Sequence, residues 1–247
     1  MGFRRCILDN CLYVMSTGES KIVLALYVDD IVLVGDNLDM IRDIKDAFKD
    51  RFQMKDLGEL QHYLGMRVTR TADAMTIDQT QYAKDVVKKF DRWIPKSARK
   101  YKKNVPFYRD TKLTRNEKMT GAQIRYKNKF PYQQVMGSLL YLAINTRPDI
   151  AYAVNVFCRF NANPKYGACR AAARLLLYVK VTVDYGIRYS GHQLNLEAYS
   201  DSDWGGDLDT RRSTTGNCVF MANGPISWVS RLQTTLCRQK VGNSIGQ

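Results

Sequence analysis

Near its start the chain reads Leu26-Tyr27-Val28-Asp29-Asp30-Ile31-Val32-Leu33-Val34, in which two adjacent aspartates lie between two apolar runs. Apolar runs on either side of a short polar step predict two β-strands joined by a tight turn. Two carboxylates held this close repel each other, and a divalent cation relieves the repulsion. Because magnesium prefers a few carboxylates together with substrate phosphates, the pattern indicates a metal-dependent site for phosphoryl transfer. The plain alternative is an acidic hairpin turn.

The residues around this hairpin predict an α/β mixed (α+β) architecture. Apolar residues recur at helical spacing after the hairpin, and Asn37 or Asp39 is the expected N-cap of the helix. In chain order, the elements expected in the first part are strands at Cys11–Val14, Lys21–Tyr27 and Ile31–Val34, a helix from Leu38, a strand at Gln61–Thr69 and a helix at Gln81–Phe90.

The second part of the chain predicts helices followed by a β-rich tail. Arg92–Phe130 has little periodicity and predicts a basic loop or linker. Two short β-prone runs around Asn223-Gly224 predict a hairpin. The other expected elements are helices at Tyr132–Ile144, Asp149–Phe160 and Cys169–Lys180, and from Tyr185 a tail with strands at Asn195–Ser200, Gly216–Ala222 and Pro225–Val229.

The charge of the chain indicates a polyanionic partner. The formal net charge is +14, and the stretch Lys84–Lys129 has sixteen Lys or Arg residues against four acids, which is +12 of that total. Aromatic residues such as Trp93 and Tyr126 are interleaved with the basic ones. Basic side chains neutralise phosphates and aromatic faces stack on bases, so nucleic acid is the expected partner. The alternative is a solvated basic linker.

The cysteines and the apolar runs argue against a zinc site and against a membrane-spanning segment. The six cysteines form no Cys-x-x-Cys pair and there are only two histidines, so no zinc-ligand spacing can be assembled. No signal-peptide pattern is present, and the longest apolar run, Ile22–Val28, is too short to cross a bilayer. We therefore expect a soluble, intracellular protein without membrane contacts.

Beyond these patterns, the stretch around Asp29-Asp30 resembles the YxDD catalytic hairpin of reverse transcriptases. The sequence after the hairpin is similar to the polyproteins of copia-type retrotransposons, and the resemblance runs from Met1 to about Gln233. The blocks that carry it are Phe52–Leu60, Tyr63–Gly65, Gln81-Tyr82, Val86–Phe90, Tyr132–Leu142 and Thr146–Val154.

This resemblance implies specific roles. Asp29 and Asp30 would be catalytic residues that bind Mg²⁺, with Mn²⁺ as a substitute, and Tyr63, Leu64 and Gly65 would lie near the primer grip. The partners would be an RNA template and a DNA primer, and the protein would be located in a cytoplasmic particle or the nucleus. The nucleic-acid-binding residues expected in the basic stretch are Lys88, Lys89, Arg92, Lys96, Arg99, Lys100, Lys102 and Lys103.

The tail resembles a second enzyme. Ala198–Asp207 is similar to the first strand of the copia-type RNase H domain, which would make Asp201 a catalytic, metal-binding carboxylate. Without the resemblance, the four aspartates in this part of the chain are simply an acidic loop. A calcium loop is the other alternative, although the EF-hand order of ligands is absent. The four residues are Asp201, Asp203, Asp207 and Asp209.

The resemblance also implies a catalytic residue that has no counterpart in this sequence. Reverse transcriptases have a third palm carboxylate on an earlier strand, and the only acids before Asp29 are Asp9 and Glu19, neither in a matching motif. Two carboxylates do not easily fix two metal ions, so we expect this chain alone to be inactive. The alternative to an incomplete reverse transcriptase with an RNase H region is a non-catalytic nucleic-acid-binding remnant or a decayed transposon gene.

The expected organisation has four parts. They are a partial palm and thumb at 1–91, a basic linker at 92–131, a helical connection at 132–184 and a truncated RNase H-like domain at 185–247.

Overall fold

Four antiparallel strands and one helix form the first of the two units into which the chain divides, Met1–Leu60 and Gln61–Gln247. The computed structural model describes residues 2–93, 105–108, 111–191 and 194–235. In the first unit the strands are β1 (Arg4–Arg5), β2 (Leu12–Thr17), β3 (Ser20–Tyr27) and β4 (Asp30–Gly35), adjacent in that order, and the helix is α1 (Leu38–Lys49).

The core of this unit is small. Ile22 and Leu24 of β3 and Ile44 of α1 are its buried apolar side chains among the described residues. The N-terminus of α1 is capped by Asn37, whose side-chain oxygen accepts hydrogen bonds from the main-chain N–H groups of Asp39 and Met40. Of the two N-caps expected, Asn37 is therefore confirmed.

The second unit contains two more antiparallel sheets and the helices. The first sheet has the strand order β5 (His62–Tyr63), β6 (Met66–Arg70), β7 (Ala74–Asp78) and β8 (Gly186–Ser190). The second has the order β11 (Gly224–Leu232), β10 (Thr214–Met221) and β9 (Glu197–Ser202). The helices are α2 (Thr80–Phe90), α3 (Gly121–Lys129), α4 (Tyr132–Asn145), α5 (Pro148–Cys158) and α6 (Tyr166–Val181), with a short 3₁₀ turn at Asp91–Trp93.

Helices α2, α4, α5 and α6 surround one apolar core. Most positions of α6 between Ala168 and Val179 are buried, which is typical of a helix packed on several sides. Fully burying one large apolar side chain stabilises a fold by roughly 1.5–3 kcal/mol, so this core is the main source of stability in the unit. Its largest buried apolar members include Phe90, Met136, Leu139, Leu142, Ile150, Phe157, Leu175 and Leu176.

The mixed α/β class is confirmed, and two local predictions are corrected. The interval Arg92–Phe130 is not loop throughout, because α3 begins at a capping box in which Thr120 and Gln123 each bond the other's main-chain N–H. The single strand predicted at Gln61–Thr69 is a hairpin, since the chain turns back at Leu64-Gly65 between β5 and β6.

The hairpin predicted around Asn223-Gly224 is confirmed, with its centre shifted by one residue. Ala222 and Asn223 occupy the two turn positions with φ of +50° and +61°, and Gly224 pairs with Met221. Gly224 is needed for space, because a Cβ there would lie 2.5 Å from the ring of Tyr189. No helix in the described part of the chain is both long and apolar enough to cross a membrane.

Candidate functional site

The turn between β3 and β4 places Asp29 and Asp30 at one end of the first sheet. Tyr27 pairs with Asp30, so Val28 and Asp29 are the two turn residues. Val28 has φ of +54° and is 79% exposed. Left-handed backbone costs a non-glycine residue roughly 1–2 kcal/mol, and a β-branched residue is rarely found there. The paired strands hold this strained turn, and strain of this kind is typical of functional sites.

The two carboxylates of this turn are exposed and uncommitted. No hydrogen bond or ion pair between described residues involves the carboxylate of Asp29 or Asp30. Some other acids of the unit are engaged: Asp36 accepts from the Lys21 main-chain N–H at 3.1 Å, and Asp56 pairs with Lys45 at 3.0 Å. Free carboxylate oxygens at a strand end are the ligands that Mg²⁺ prefers, so the pair fits this ion. Within the described ranges, no group of three or more His, Cys, Asp or Glu residues could hold a metal ion.

Asp9, one of the two earlier acids, lies in the loop between β1 and β2. The main-chain N–H of Leu26 donates to the carbonyl of Cys11 at 2.9 Å, so this loop lies at the same end of the sheet as the Asp29-Asp30 turn. One carboxylate oxygen of Asp9 accepts the main-chain N–H of Cys11 at 2.8 Å. Asp9 therefore closes its own loop.

The residues expected near the primer grip form the tight turn between β5 and β6. Tyr63 pairs with Met66, and the turn residues Leu64 and Gly65 have φ of +48° and +73°. Positive φ at both positions is the requirement of a type I′ turn, which matches the twist of the flanking strands. The carbonyl of Leu64 accepts a hydrogen bond from the Tyr141 hydroxyl at 2.6 Å. No local pattern could have pointed to this partner, because it lies 77 residues away in the chain.

The described part of the basic stretch presents exposed cations beside aromatic rings. Lys88 and Lys89 are exposed at the end of α2, and the exposed Arg92 has its guanidinium 5.0 Å from the Trp93 ring centre. Residues Lys96, Arg99, Lys100, Lys102 and Lys103 lie outside the described residues.

Helix α3 adds cations that sequence reasoning did not single out. The hydroxyl of Tyr126 donates to the carbonyl of Trp93 at 2.8 Å, which ties α3 to the end of α2. Arg125 and Lys129 are exposed on this helix, close in sequence to Tyr126. The Thr120–Gln123 capping box was the available sequence signal for the helix.

In the tail, Asp201 is the aspartate best placed to act on a ligand. It is exposed on β9 and pairs with Gly216 of β10, which has no side chain to cover it. Its Oδ1 accepts the neighbouring main-chain N–H of Ser202 at 2.8 Å, and no hydrogen bond among the described residues takes the other oxygen.

The other three aspartates of the acidic loop form hydrogen bonds and ion pairs within the protein. Asp203 accepts the Thr214 main-chain N–H at 2.8 Å, and Asp209 accepts the Thr114 hydroxyl at 2.8 Å. Asp207 is buried; it accepts both the N–H and the hydroxyl of Thr210 at 2.8 Å and pairs with Arg159 at 3.2 Å. Because protein donors engage these carboxylates, the loop does not have the free ligand set of a calcium site.

The buried Asp207 remains an acid of low pKa. Burial raises its pKa, but the hydrogen bonds from Thr210 and the charge of Arg159 outweigh that effect and hold the pKa below the ordinary value of 3.8. Asp207 is therefore a charged anchor at neutral pH, on which the end of α5 and the loop between β9 and β10 meet.

Comparisons with known proteins found a matching family model and several similar sequences. Residues 1–101 match a family model described as reverse transcriptase (RNA-dependent DNA polymerase). The chain is 34% identical over 239 residues to the retrovirus-related Pol polyprotein from transposon RE2 of Arabidopsis thaliana, covering 96% of this chain and 16% of the relative. It is 36% identical over 231 residues to the Pol polyprotein from transposon TNT 1-94 of Nicotiana tabacum, covering 91% of this chain and 17% of the relative.

A third relative is of similar length. The chain is 33% identical over 216 residues to an uncharacterized mitochondrial protein of Arabidopsis thaliana, covering 87% of this chain and 85% of the relative. This chain thus spans about a sixth of the Pol polyproteins and most of the mitochondrial protein. No solved structure matches the chain significantly.

Proposed function

Because the chain belongs to the reverse transcriptase family of copia-type retrotransposon Pol polyproteins, we propose that it supplies the metal-binding hairpin and the primer-holding elements of an RNA-directed DNA polymerase. The observation that carries this proposal is the pair of exposed, uncommitted carboxylates at the strained turn of β3 and β4. A plain acidic turn would not need a β-branched residue in left-handed backbone.

In this function Asp29 and Asp30 would hold Mg²⁺, or Mn²⁺ in its place. The ion would neutralise charge on the transferring phosphoryl group. The turn keeps both carboxylates exposed at a fixed end of the sheet, so the backbone positions them before any ligand arrives. Two carboxylates are too few to fix two ions, so we expect the site to need a further carboxylate and this chain alone not to extend a primer.

The basic surface would hold the RNA template and DNA primer. Lys88, Lys89 and Arg92 are exposed at the end of α2, and Arg125 and Lys129 are exposed on α3. Each phosphate contact by such a side chain releases counterions. The segment 94–104 continues this charge in sequence.

We further propose that β9, β10 and β11 are the first strands of an RNase H-like sheet, with Asp201 in the position of its first metal-binding carboxylate. Its exposure opposite Gly216 supports this assignment. One carboxylate does not position two ions, so we expect no cleavage of an RNA–DNA hybrid by this chain. Cleavage that disappears in Asp201→Asn would contradict this expectation.

The experiment that tests the main proposal is a titration with Mn²⁺ followed by electron paramagnetic resonance. We expect weak binding by the wild-type chain and loss of that binding in the Asp29→Asn/Asp30→Asn double variant. Asp43→Asn is the control, since Asp43 is an exposed acid on α1 of the same unit. Equal Mn²⁺ binding by the wild type and the double variant would overturn the proposal and leave an acidic hairpin turn.

The Mn²⁺ dependence of template binding separates the proposal from its alternative, a nucleic-acid-binding chain without any part in catalysis. Both hypotheses allow binding of a primed RNA template. Only the proposal expects that binding to respond to Mn²⁺ through Asp29 and Asp30. Any extension lost in Asp29→Asn would show that this chain holds a complete polymerase site.

A further inference from the structure

We propose that Tyr141 of α4 is a positioning residue for the primer strand, because its hydroxyl holds the Leu64-Gly65 turn, which the resemblance to reverse transcriptases places near the primer grip. This inference rests on the proposed function, and it assigns a role to a residue outside the turn itself. The direct observation is the hydrogen bond of 2.6 Å from the Tyr141 hydroxyl to the Leu64 carbonyl.

The turn needs such a partner because its own sequence specifies it poorly. A two-residue turn with positive φ at both positions is favoured by Asn-Gly or Asp-Gly, whereas here the first position is leucine at φ +48°. Leucine has no side-chain oxygen to bond locally and carries a Cβ that disfavours left-handed backbone. The conformation of Leu64 is thus set by tertiary contacts, and the bond from Tyr141 reaches its main chain directly.

Gly65 fits the same arrangement. A Cβ at Gly65 would lie 3.2 Å from the Tyr141 hydroxyl. The hydroxyl is therefore close to both residues of the turn, Leu64 and Gly65. The tyrosine therefore fixes the position of the turn as well as its conformation.

Tyr141 is itself held firmly. The side-chain amide of Asn145 donates to the Tyr141 carbonyl at 2.7 Å, and the indole N–H of Trp228 on β11 donates to the carbonyl of Ala143 at 2.7 Å. The ring of Tyr82 on α2 meets the Tyr141 ring edge to face, with centroids 5.0 Å apart. Helix α2 and strand β11 thus contact this part of α4, so the hydroxyl can define where the turn lies.

The sheet that begins at this turn offers a surface for a phosphate backbone. Arg67 of β6 lies two residues beyond Gly65, and Arg188 of β8 pairs with Thr76, which in turn pairs with Thr69. Because side chains alternate along a strand, Arg67, Thr69 and Arg188 share one face, and all three are exposed. Arg67 also forms an ion pair with the buried Asp78 at 3.0 Å, so Arg188 is the cation of this face that no described acid pairs with. A primer seated on the turn would continue over this face.

The test compares Tyr141→Phe with the wild type on a DNA primer annealed to an RNA template, using a fluorescent base at the primer 3′ end. Loss of one hydrogen bond predicts binding that is about three- to tenfold weaker and a 3′-end signal closer to that of free primer. Binding to a blunt duplex of the same length should change little. Tyr82→Phe is the matched control, since it removes a hydroxyl from the same ring pair and leaves the Tyr141–Leu64 hydrogen bond in place.

A rescue variant distinguishes positioning from general damage to the fold. Leu64→Asn creates an Asn-Gly turn, which favours positive φ without help from Tyr141. We expect Tyr141→Phe/Leu64→Asn to recover most of the lost binding and the 3′-end signal.

The possible outcomes distinguish a failure of the proposed function from a failure of the role proposed for Tyr141. Wild-type protein that does not bind the primed template would overturn the proposed function, and this inference with it. Wild-type binding with an unchanged Tyr141→Phe would overturn the inference alone. A defect that is equal on blunt duplex, or that Leu64→Asn does not rescue, would likewise reject positioning in favour of a structural role.

Discussion

Arg147 and Asp149 form a bidentate pair at the start of α5, with Nε–Oδ1 and Nη2–Oδ2 distances of 2.9 and 2.8 Å. The guanidinium is almost fully buried, and it also donates to the carbonyl and the hydroxyl of Thr182 just after α6. Tyr178 of α6 donates its hydroxyl to the same Asp149 carboxylate at 2.9 Å. One buried cation thus joins the beginning of α5 to the end of α6.

Replacing the anion of this pair should destabilise the second unit strongly. Asp149→Asn leaves the buried guanidinium without a countercharge, which costs about 3–5 kcal/mol when a buried pair is broken from one side. Urea unfolding followed by tryptophan fluorescence measures the loss. Lys180→Ala is the control, because the Lys180–Asp91 pair is exposed and its removal should cost no more than about 1 kcal/mol. Equal losses of unfolding free energy in the two variants would show that the buried pair contributes no more to stability than the exposed pair.

The low pKa of Asp207 predicts a loss of stability in acid. The folded pKa lies below the ordinary value of 3.8, so its stabilisation is fully present above that value and is lost as the pH falls through the folded pKa. Asp207→Asn should therefore flatten the dependence of the free energy of unfolding on pH below about 4. A wild-type slope that persists in Asp207→Asn would assign the acid sensitivity to other groups.

The basic surface predicts the salt dependence of nucleic-acid binding. On duplex, the slope of log affinity against log salt changes by about 0.9 for each phosphate contact. Lys88→Ala/Lys89→Ala should thus reduce the slope by up to about 1.8. Arg42→Ala, an exposed cation on α1, should leave it unchanged. Binding of the wild type that is flat between low and moderate salt would contradict the assignment of this surface.

The strained turn makes an unusual prediction for Val28. Val28→Gly removes the energetic penalty of left-handed backbone, and this gain exceeds the extra conformational entropy that glycine loses on folding. The free energy of unfolding should therefore rise by about 0.5–1 kcal/mol. Amide hydrogen exchange should show greater protection in β3 and β4. Val34→Gly is the matched control, because Val34 lies in extended backbone of β4 and glycine there should reduce protection. Reduced protection in both variants would mean that Val28 carries no strain.

Local signals in the sequence predicted local structure well. The hairpin around Asp29-Asp30, the Asn37 cap and the helices α4, α5 and α6 follow from patterns within a few residues of one another. The missed helix α3 also had a local signal, the Thr120–Gln123 capping box, which its weak apolar periodicity concealed.

Long-range contacts could not be predicted in the same way. The pairing of β7 with β8 joins residues more than a hundred positions apart, and neither strand's own sequence names its partner. The same holds for the bond from Tyr141 to Leu64. In the tail, motif resemblance selected Asp201, but only the contacts of Asp207 and Asp209 show that these acids serve the fold.

The central claim is that the Asp29-Asp30 turn holds a metal ion at the 3′ end of the primer. Its most direct test replaces Mg²⁺ with Fe²⁺ in the complex of this chain with a primed RNA template. With ascorbate and hydrogen peroxide, bound Fe²⁺ generates radicals that cut whatever lies next to it. We predict cuts in the polypeptide at the turn between β3 and β4 and in the DNA at the primer 3′ end, both lost in Asp29→Asn/Asp30→Asn. Cuts that persist in the double variant, or that fall elsewhere on the chain and the primer, would contradict the account.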